Sequence, residues 1–459
     1  MQDNEANRFS ARAARYARVG ANVGAFAARM ASNRLRGAED PRSQAQALAG
    51  ALGSLKGPLM KVAQMLATIP DALPPDYAEE LMRLQAEAPP MGAAFVKRRM
   101  QAELGPDWRK SFAEFDLHPA AAASLGQVHR AVALDGERVA CKLQYPDMAS
   151  AVEADLAELD LLFSIHRRMG PAIDTREIAA EIGARIREEL DYRREAKLAR
   201  LYRLMLADRP AVRVPRVRAE LSTRRLLTME WLEGDKLTKF EKAPQSARNA
   251  IALALFEAWW RPFSQYGVIH GDPHLGNYTI AAKGDEIAGL NLFDYGCVRI
   301  FPASFVGGVV DLYQGLKTKD EARIVHAYET WGFVKLKRET IDALNIWARF
   351  IYGPLIDDRV RTIADGVKPG HYGRREAFTV HQALKAQGPL TVPREFVFMD
   401  RAAIGLGGVF LRLGAALNFH RLFEQAIEGF AVEEVAKRQA AALDAAELGE
   451  ESPRFAQRG

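Results

Sequence analysis

The chain has 459 residues, a formal net charge of +5 and two cysteines, Cys141 and Cys297. That length allows two or three domains with sizeable cores. The mild positive excess does not announce a nucleic-acid binder, and so few cysteines exclude a disulfide framework or a thiolate metal site, which fits a reducing compartment. Near the C-terminus the longest uncharged apolar run, Ala402 to Leu411, stops at Arg412, well short of the roughly 20 residues that cross a bilayer. Asp3 and Glu5 precede any apolar segment, so the start does not read as a secretory signal. The expectation is a bacterial-type cytoplasmic protein without a membrane span and with at most peripheral membrane contact.

From Arg8 to Met30, the residues Phe9, Tyr16, Val19, Val23, Phe26 and Met30 recur at helical spacing with Arg8, Arg15 and Arg18 beside them. Such a basic amphipathic helix either docks on the protein's own body or lies on an anionic membrane surface. A second helical stretch, Ala45 to Ala67, is ended by Pro70 to Pro75, and shorter helices follow at Tyr77 to Gln85 and Ala93 to Glu103. The period then changes to that of strands at Ser124 to Ala133 and Arg138 to Gln144, joined by a turn whose Asp135-Gly136 pair supplies positive dihedrals. Helical patterns return at Ala149 to Met169 and Arg176 to Ala207, strand character at Val212 to Val217 and Arg225 to Trp231, and a helix at Ala247 to Tyr266. Beyond Arg299 nearly everything reads as helix, up to a polar tail from Gly449. Trp259, Trp260, Trp331 and Trp347 are expected in the core. The order predicts an α+β chain: a helical extension over 1–110, a small β-containing lobe over 111–232, a larger helical lobe over 233–448 and a loose tail over 449–459, with a cleft between the lobes.

The densest chemistry follows the helix ending at Tyr266. His270-Gly271-Asp272-Pro273-His274-Leu275-Gly276-Asn277 is succeeded by Asp294-Tyr295-Gly296 at the end of the apolar run Leu290 to Phe293. An Asp and an Asn five residues apart on a loop stiffened by Pro273 can aim Asp272 at a nucleophile while Asn277 reaches a metal ion, and Asp294 can grip the same ion. Few, hard oxygen ligands suit Mg2+. A polar turn between two strands is the plainer alternative. His270 and His274 stand four apart like helical zinc ligands, but Pro273 between them opposes a helix, and His270 is better suited to orienting the loop.

Earlier in the chain, Lys142 sits on the second strand of the hairpin and can hold the α and β phosphates of a nucleotide if an acid from the next helix orients it. Glu189, Asp191 and Glu195 are candidates, and a strand lysine that merely extends to solvent is the alternative. Ala121-Ala122-Ala123-Ser124 stands where a glycine-rich phosphate loop would be expected; alanines make such a loop stiffer, and a helical turn is the alternative. Thr228 to Gly234, including Glu230 and Leu232, reads as a hinge whose backbone would bond adenine, or as a plain strand end. Cys141 and Cys297 flank site candidates and fit small-residue packing.

Taken together the motifs resemble the UbiB/ADCK/AarF family of atypical protein-kinase-like proteins. Ala121 to Ser124 with Gly126-Gln127-Val128-His129 resembles that family's replacement for the glycine-rich loop, Lys61-Val62-Ala63-Gln64 its Lys-x-Gly-Gln signature, and Glu189-Leu190-Asp191 its Glu-x-Asp signature. Glu195 takes the position of the glutamate paired with the strand lysine, and His270 to Asn277 and Asp294 to Gly296 resemble its catalytic and metal-binding loops. Two positions depart: Ala63 replaces Gly, and Tyr295 follows Asp294 where kinases commonly have Phe. The resemblance implies a bilobal protein-kinase-like fold that binds ATP and Mg2+. It places Lys61, Gln64, Glu189 and Asp191 in an auxiliary cluster brought to the nucleotide by the N-terminal extension. It further implies ATPase or small-molecule kinase activity supporting ubiquinone biosynthesis or related isoprenoid-lipid homeostasis, with quinone-precursor lipids, an anionic membrane surface and ubiquinone-biosynthesis proteins as partners and no nucleic acid. An aminoglycoside- or choline-type phosphotransferase shares the His-Gly-Asp loop, and a nucleotide-sensing scaffold with little turnover is the reading outside enzymes.

Overall fold

The computed structural model describes residues 91–451 apart from 124, 147, 154–155, 158–175, 285, 334–335, 365–366, 368–372, 374–375, 377–378, 381 and 384–392. Lys61, Gln64, Ser124, the helices expected up to Gln85 and most of Ala149 to Met169 lie outside the described residues, whereas the helix expected over Ala93 to Glu103 is present. Two compact units are present: the described part of the smaller runs to Arg193 and resumes over Arg218–Glu230, and the larger comprises Arg194–Val217 with everything from Trp231 on.

The described part of the smaller unit opens with helix α1 (Ala93–Leu104) and is built on strands β1 (Phe112–Ala123), β2 (Gly126–Ala133) and β3 (Arg138–Gln144). Helices α2 (Arg176–Glu188) and the start of α3 (Tyr192–Met205) follow; β4 (Val212–Arg213) belongs to the larger unit, and β5 (Leu226–Glu230) returns to the smaller. Its antiparallel sheet has the order β1-β2-β3-β5. The hairpin between β2 and β3 turns at Gly136, whose φ of 85° is the left-handed geometry that an Asp-Gly pair supplies. Along β3, Val139, Cys141 and Leu143 enter a core shared with Val96, Met100, Trp108 and Phe112. Pro119 has no N–H to give a ladder, and it stands on β1, an edge strand whose register with β2 slips on either side of it.

Three expectations change here. The alanine run, read as a loop or helical turn, continues β1 through Ala123, because edge pairing of Ala121 with Val128 and Ala122 with Gln127 satisfies its backbone. The helical pattern from Arg176 to Ala207 is interrupted at 189–191, where Asp191 Oδ1 accepts from the Arg193 N–H (3.0 Å) and starts a new helix. The strand expected over Val212 to Val217 shrinks to two residues.

In the larger unit, helix α4 (Gln245–Tyr266) runs through the centre of the core, with Leu255, Trp259 and Phe263 buried. It ends at Gly267, with φ 63°, where a Cβ would lie 2.7 Å from both Phe301 O and Gln439 Nε2, so only glycine fits. The chain then enters β6 (Val268–His270), which pairs with β9 (Val298–Ile300), while β7 (Tyr278–Lys283) and β8 (Glu286–Leu292) form a hairpin joined on its outer side by β4. The remainder is helical: α5 (Ala303–Thr318), α6 (Glu321–Thr330), α7 (Arg338–Ile356), α8 (Arg394–Leu413), α9 (Phe419–Ala426) and α10 (Val432–Ala445). Trp259, Trp331 and Trp347 are buried as expected, and Trp260 is half-buried against the same core. Gly449 to Glu451 closes the described chain with a short 3-10 turn. Among the described residues no helix is long and apolar enough to cross a membrane.

Candidate active site

The loop after β6 is held by its own backbone. His270, fully buried, donates from Nε2 to the carbonyl of Asp294 (2.8 Å) and accepts the Asp272 N–H at Nδ1 (3.3 Å). Burial lowers the pKa of His270 against the opposing pull of Asp272 and Asp294, so the ring stays neutral and keeps one donor and one acceptor. A single imidazole therefore ties the stretch carrying Asp272 to the backbone of Asp294. His274 is exposed and accepts the Gly276 N–H (3.1 Å), capping the turn Leu275–Asn277; neither histidine has the surroundings of a zinc ligand. Among the described residues no group of three or more His, Cys, Asp or Glu is placed to hold a metal ion by itself.

Asn277 and Asp294 are brought together by the β7–β8 hairpin. Tyr278 pairs with Leu292, and one step outward the Phe293 N–H donates to the Asn277 carbonyl (2.7 Å), so Asp294 follows directly on a residue bonded to Asn277. Asp294 has φ 55°, a left-handed geometry uncommon outside glycine, and such departures concentrate at functional sites. The Asn277 side chain donates from Nδ2 to the Asp272 carbonyl (3.1 Å), which fixes the orientation of the amide and makes Oδ1 its acceptor atom. One amide oxygen and one carboxylate fit Mg2+, which takes one or two protein ligands and completes its shell with water and phosphate oxygens. The pair fits that ion and does not fit zinc.

Asp272 is almost fully buried and receives a hydrogen bond at Oδ1 from Arg401 Nη2 (2.7 Å). Arg401 lies on α8, 129 residues away, and sequence reading missed it. Its only trace in the sequence is an arginine directly ahead of the uncharged run beginning at Ala402. Sequence reading missed Tyr202 and did not foresee that Tyr295 and Trp259 gather with it around His270: the Tyr202 and Tyr295 rings lie 6.0 and 6.1 Å from it, edge-on, and Trp259 lies at 5.1 Å. Glu195, on the part of α3 within this unit, is buried and its charge is one of those that raise the pKa of Tyr295, after the larger effect of burial.

In the smaller unit Lys142 is buried on β3 with Nζ 5.2 Å from the centre of the Tyr192 ring. Gln144, two residues on, donates to the Leu190 carbonyl (3.1 Å), which docks the Glu189-Leu190-Asp191 turn on the same strand end. Glu189 is buried there, while Asp191 serves as the cap of α3 described above. Gly126 opens β2 where a Cβ would come within 2.3 Å of the Leu143 carbonyl, so the strand after the alanine run passes closer to β3 than any side chain allows. Ala121 and Ala122 are exposed and Ala123 half-exposed. Glu230 ends β5 and is the last residue of the smaller unit, whereas Leu232 is buried in the larger. Cys141 is buried and its thiol is pushed up to about 12, so it is inert packing, and Cys297 is buried too.

The sequence profile described as the ABC1 atypical kinase-like domain matches residues 83–328. AarF domain-containing protein kinase 1 of Xenopus laevis is 30% identical over 272 residues, 59% of this chain and 52% of that protein. The mitochondrial atypical kinase COQ8 of Saccharomyces cerevisiae is 30% identical over 253 residues, 55% of this chain and 50% of that protein. The chain thus spans about half the length of the curated relatives it matches. Among solved structures, the complex of Rv3197 with erythromycin from Mycobacterium tuberculosis is 28% identical with a TM-score of 0.57, covering 89% of this chain and 98% of that one. The expected kinase-like fold, with a small sheet-bearing part and a larger helical part, is shown by these likenesses. The matched profile takes in both candidate loops, Lys142 and more than half of the chain, which belongs to the ABC1 atypical kinase-like family, the UbiB family of the AarF and COQ8 kinases.

Proposed function

We propose that this chain binds Mg-ATP and transfers or hydrolyses its terminal phosphoryl group in support of ubiquinone biosynthesis or related isoprenoid-lipid homeostasis. The observation that supports the reading is the backbone bond from Phe293 to Asn277, which makes Asp294 the next residue along from a partner of Asn277, with Asp272 tied to Asp294 through His270 and to Asn277 directly. Asn277 and Asp294 hold the magnesium ion, which supplies charge neutralisation to the phosphates. Asp272 orients the nucleophile, Lys142 with Glu195 holds the phosphates, the backbone of Glu230 and Leu232 meets adenine, and Ala121 to Ser124 covers the nucleotide. Lys61, Gln64, Glu189 and Asp191 form the auxiliary cluster. The relatives named as COQ8 kinases support the link to ubiquinone. In this reading quinone-precursor lipids are reached by peripheral contact with an anionic membrane surface, alongside ubiquinone-biosynthesis proteins.

Calorimetric titration with Mg-ATP tests the metal assignment: Asp294→Asn is expected to abolish magnesium-dependent binding, and unchanged affinity refutes it. ATP turnover, with and without anionic liposomes and phenolic quinone precursors and with Asp272→Asn as control, tests the activity. A second reading, a phosphotransferase acting on small soluble molecules, is favoured by one observation, the macrolide bound by the Rv3197 neighbour. A turnover screen against soluble hydroxyl compounds, erythromycin included, separates the two.

A further inference from the structure

We propose that Arg401 is a positioning residue for phosphoryl transfer, setting the Asp272 carboxylate from a helix remote in sequence; this rests on the catalytic reading of Asp272 given above. Arg401 and Asp272 are 4% and 6% exposed, and Nη2 stands 2.7 Å from Oδ1. A buried ion pair is a poor stabilising device, since well-packed apolar residues of similar volume commonly do as well or better. What such a pair supplies is orientation and charge, and here the acid it orients is the one proposed to orient the nucleophile.

The surroundings of Arg401 are built to hold that contact. One helical turn on, Gly405 sits so close to the catalytic loop that a Cβ there would lie 2.3 Å from Pro273 Cγ, so α8 rests directly on the residue after Asp272. Met399, Ala402, Leu406 and Val409 anchor the same helix in the core. On its other side Asp400 accepts from Trp347 Nε1 (3.1 Å). The helix is therefore located from three directions, and Arg401 reaches Asp272 from a rigid support rather than from a loop. Misplacement of a reacting group by about 1 Å costs on the order of 100-fold in rate, which sets the scale of effect expected when the support is disturbed.

Steady-state ATP turnover of the full chain with Mg-ATP, compared across wild type, Arg401→Met, Arg401→Lys, Gly405→Ala and Asp272→Asn, tests this. The expected result is a kcat lowered about 10–100-fold in Arg401→Met with KM for Mg-ATP within about twofold, partial recovery in Arg401→Lys, and a similar kcat-only loss in Gly405→Ala. In the Asp272→Asn background, Arg401→Met should cost nothing further, because residues acting as a unit are non-additive. A merely structural Arg401 would slow both backgrounds equally, and that result overturns the proposal, as does a kcat unchanged in both Arg401→Met and Gly405→Ala. If Arg401→Met does not fold, as judged by its thermal melt, Arg401→Lys and Gly405→Ala decide the outcome. Should wild type itself fail to turn over, or Asp272→Asn match it, the catalytic reading of Asp272 falls first; normal wild-type turnover with a slow Asp272→Asn and unaltered Arg401 variants removes this inference alone.

Discussion

His129 in the smaller unit and His270 in the larger are both fully buried, and each uses its two ring nitrogens to join separate stretches of chain. His129 lies 2.9 Å from the Asp116 carbonyl through Nδ1 and 2.9 Å from the Gln127 amide through Nε2, and Gln127 in turn accepts the Met91 N–H (2.9 Å). His270 makes the same kind of clamp, but its partners are the backbones of Asp272 and Asp294. Burial lowers the pKa of both rings. One clamp fastens an edge strand and the stretch just ahead of α1; the other fastens two acids of a candidate site. A neutral buried imidazole is thus a structural device that becomes functional only through what it holds.

The comparison is broken most severely by removing what lies beneath His270. Trp259→Ala empties a fully buried indole site against that ring and should cost about 3–5 kcal/mol in denaturant unfolding. His270→Leu keeps the volume but leaves the Asp294 carbonyl and the Asp272 N–H without their partner. Magnesium-dependent ATP affinity should fall about 10–100-fold by calorimetry, the usual cost of losing a group that orients metal ligands. His129→Asn sharpens the contrast: stability should drop by about 1–2 kcal/mol while magnesium affinity stays within about twofold of wild type. The same variant has a pH signature. The folded pKa of His129 lies below its unfolded value, so the unfolded chain takes up the proton first. The ring's contribution is present above about pH 6.5 and is lost as pH falls through the folded value. Melting temperature should therefore fall from about pH 7.5 to about pH 5.5 less steeply in His129→Asn than in wild type.

Local chemistry made part of this legible in advance. Asp135-Gly136 announces its hairpin, and the close spacing of Asp272, Asn277 and Asp294 marks the stretches that His270 and the β7–β8 hairpin tie together, because each depends on residues near in sequence. The break between α2 and α3 was hidden, since Glu188, Glu189, Leu190 and Asp191 are tolerated inside a helix and only the cap formed by Asp191 reveals the interruption. Strand continuation through Ala121 to Ala123 was hidden for a similar reason: alanine favours helix, and the edge pairing that overrides it comes from β2. Beyond its place ahead of the run from Ala402, nothing near Arg401 in the sequence points to Asp272, as that partner is fixed by tertiary packing of α8 against α4 and β6.

Pro119 has a consequence for self-association. An outermost strand normally offers a row of vacant amide donors and carbonyl acceptors on which a second molecule can extend the sheet. Here one donor is missing at Pro119, and the ladder slips between Phe115 and Pro119 and again before Ala121. A copy of this chain approaching that margin would meet an interrupted run of donors, so strand-to-strand extension is disfavoured along the alanine-rich border.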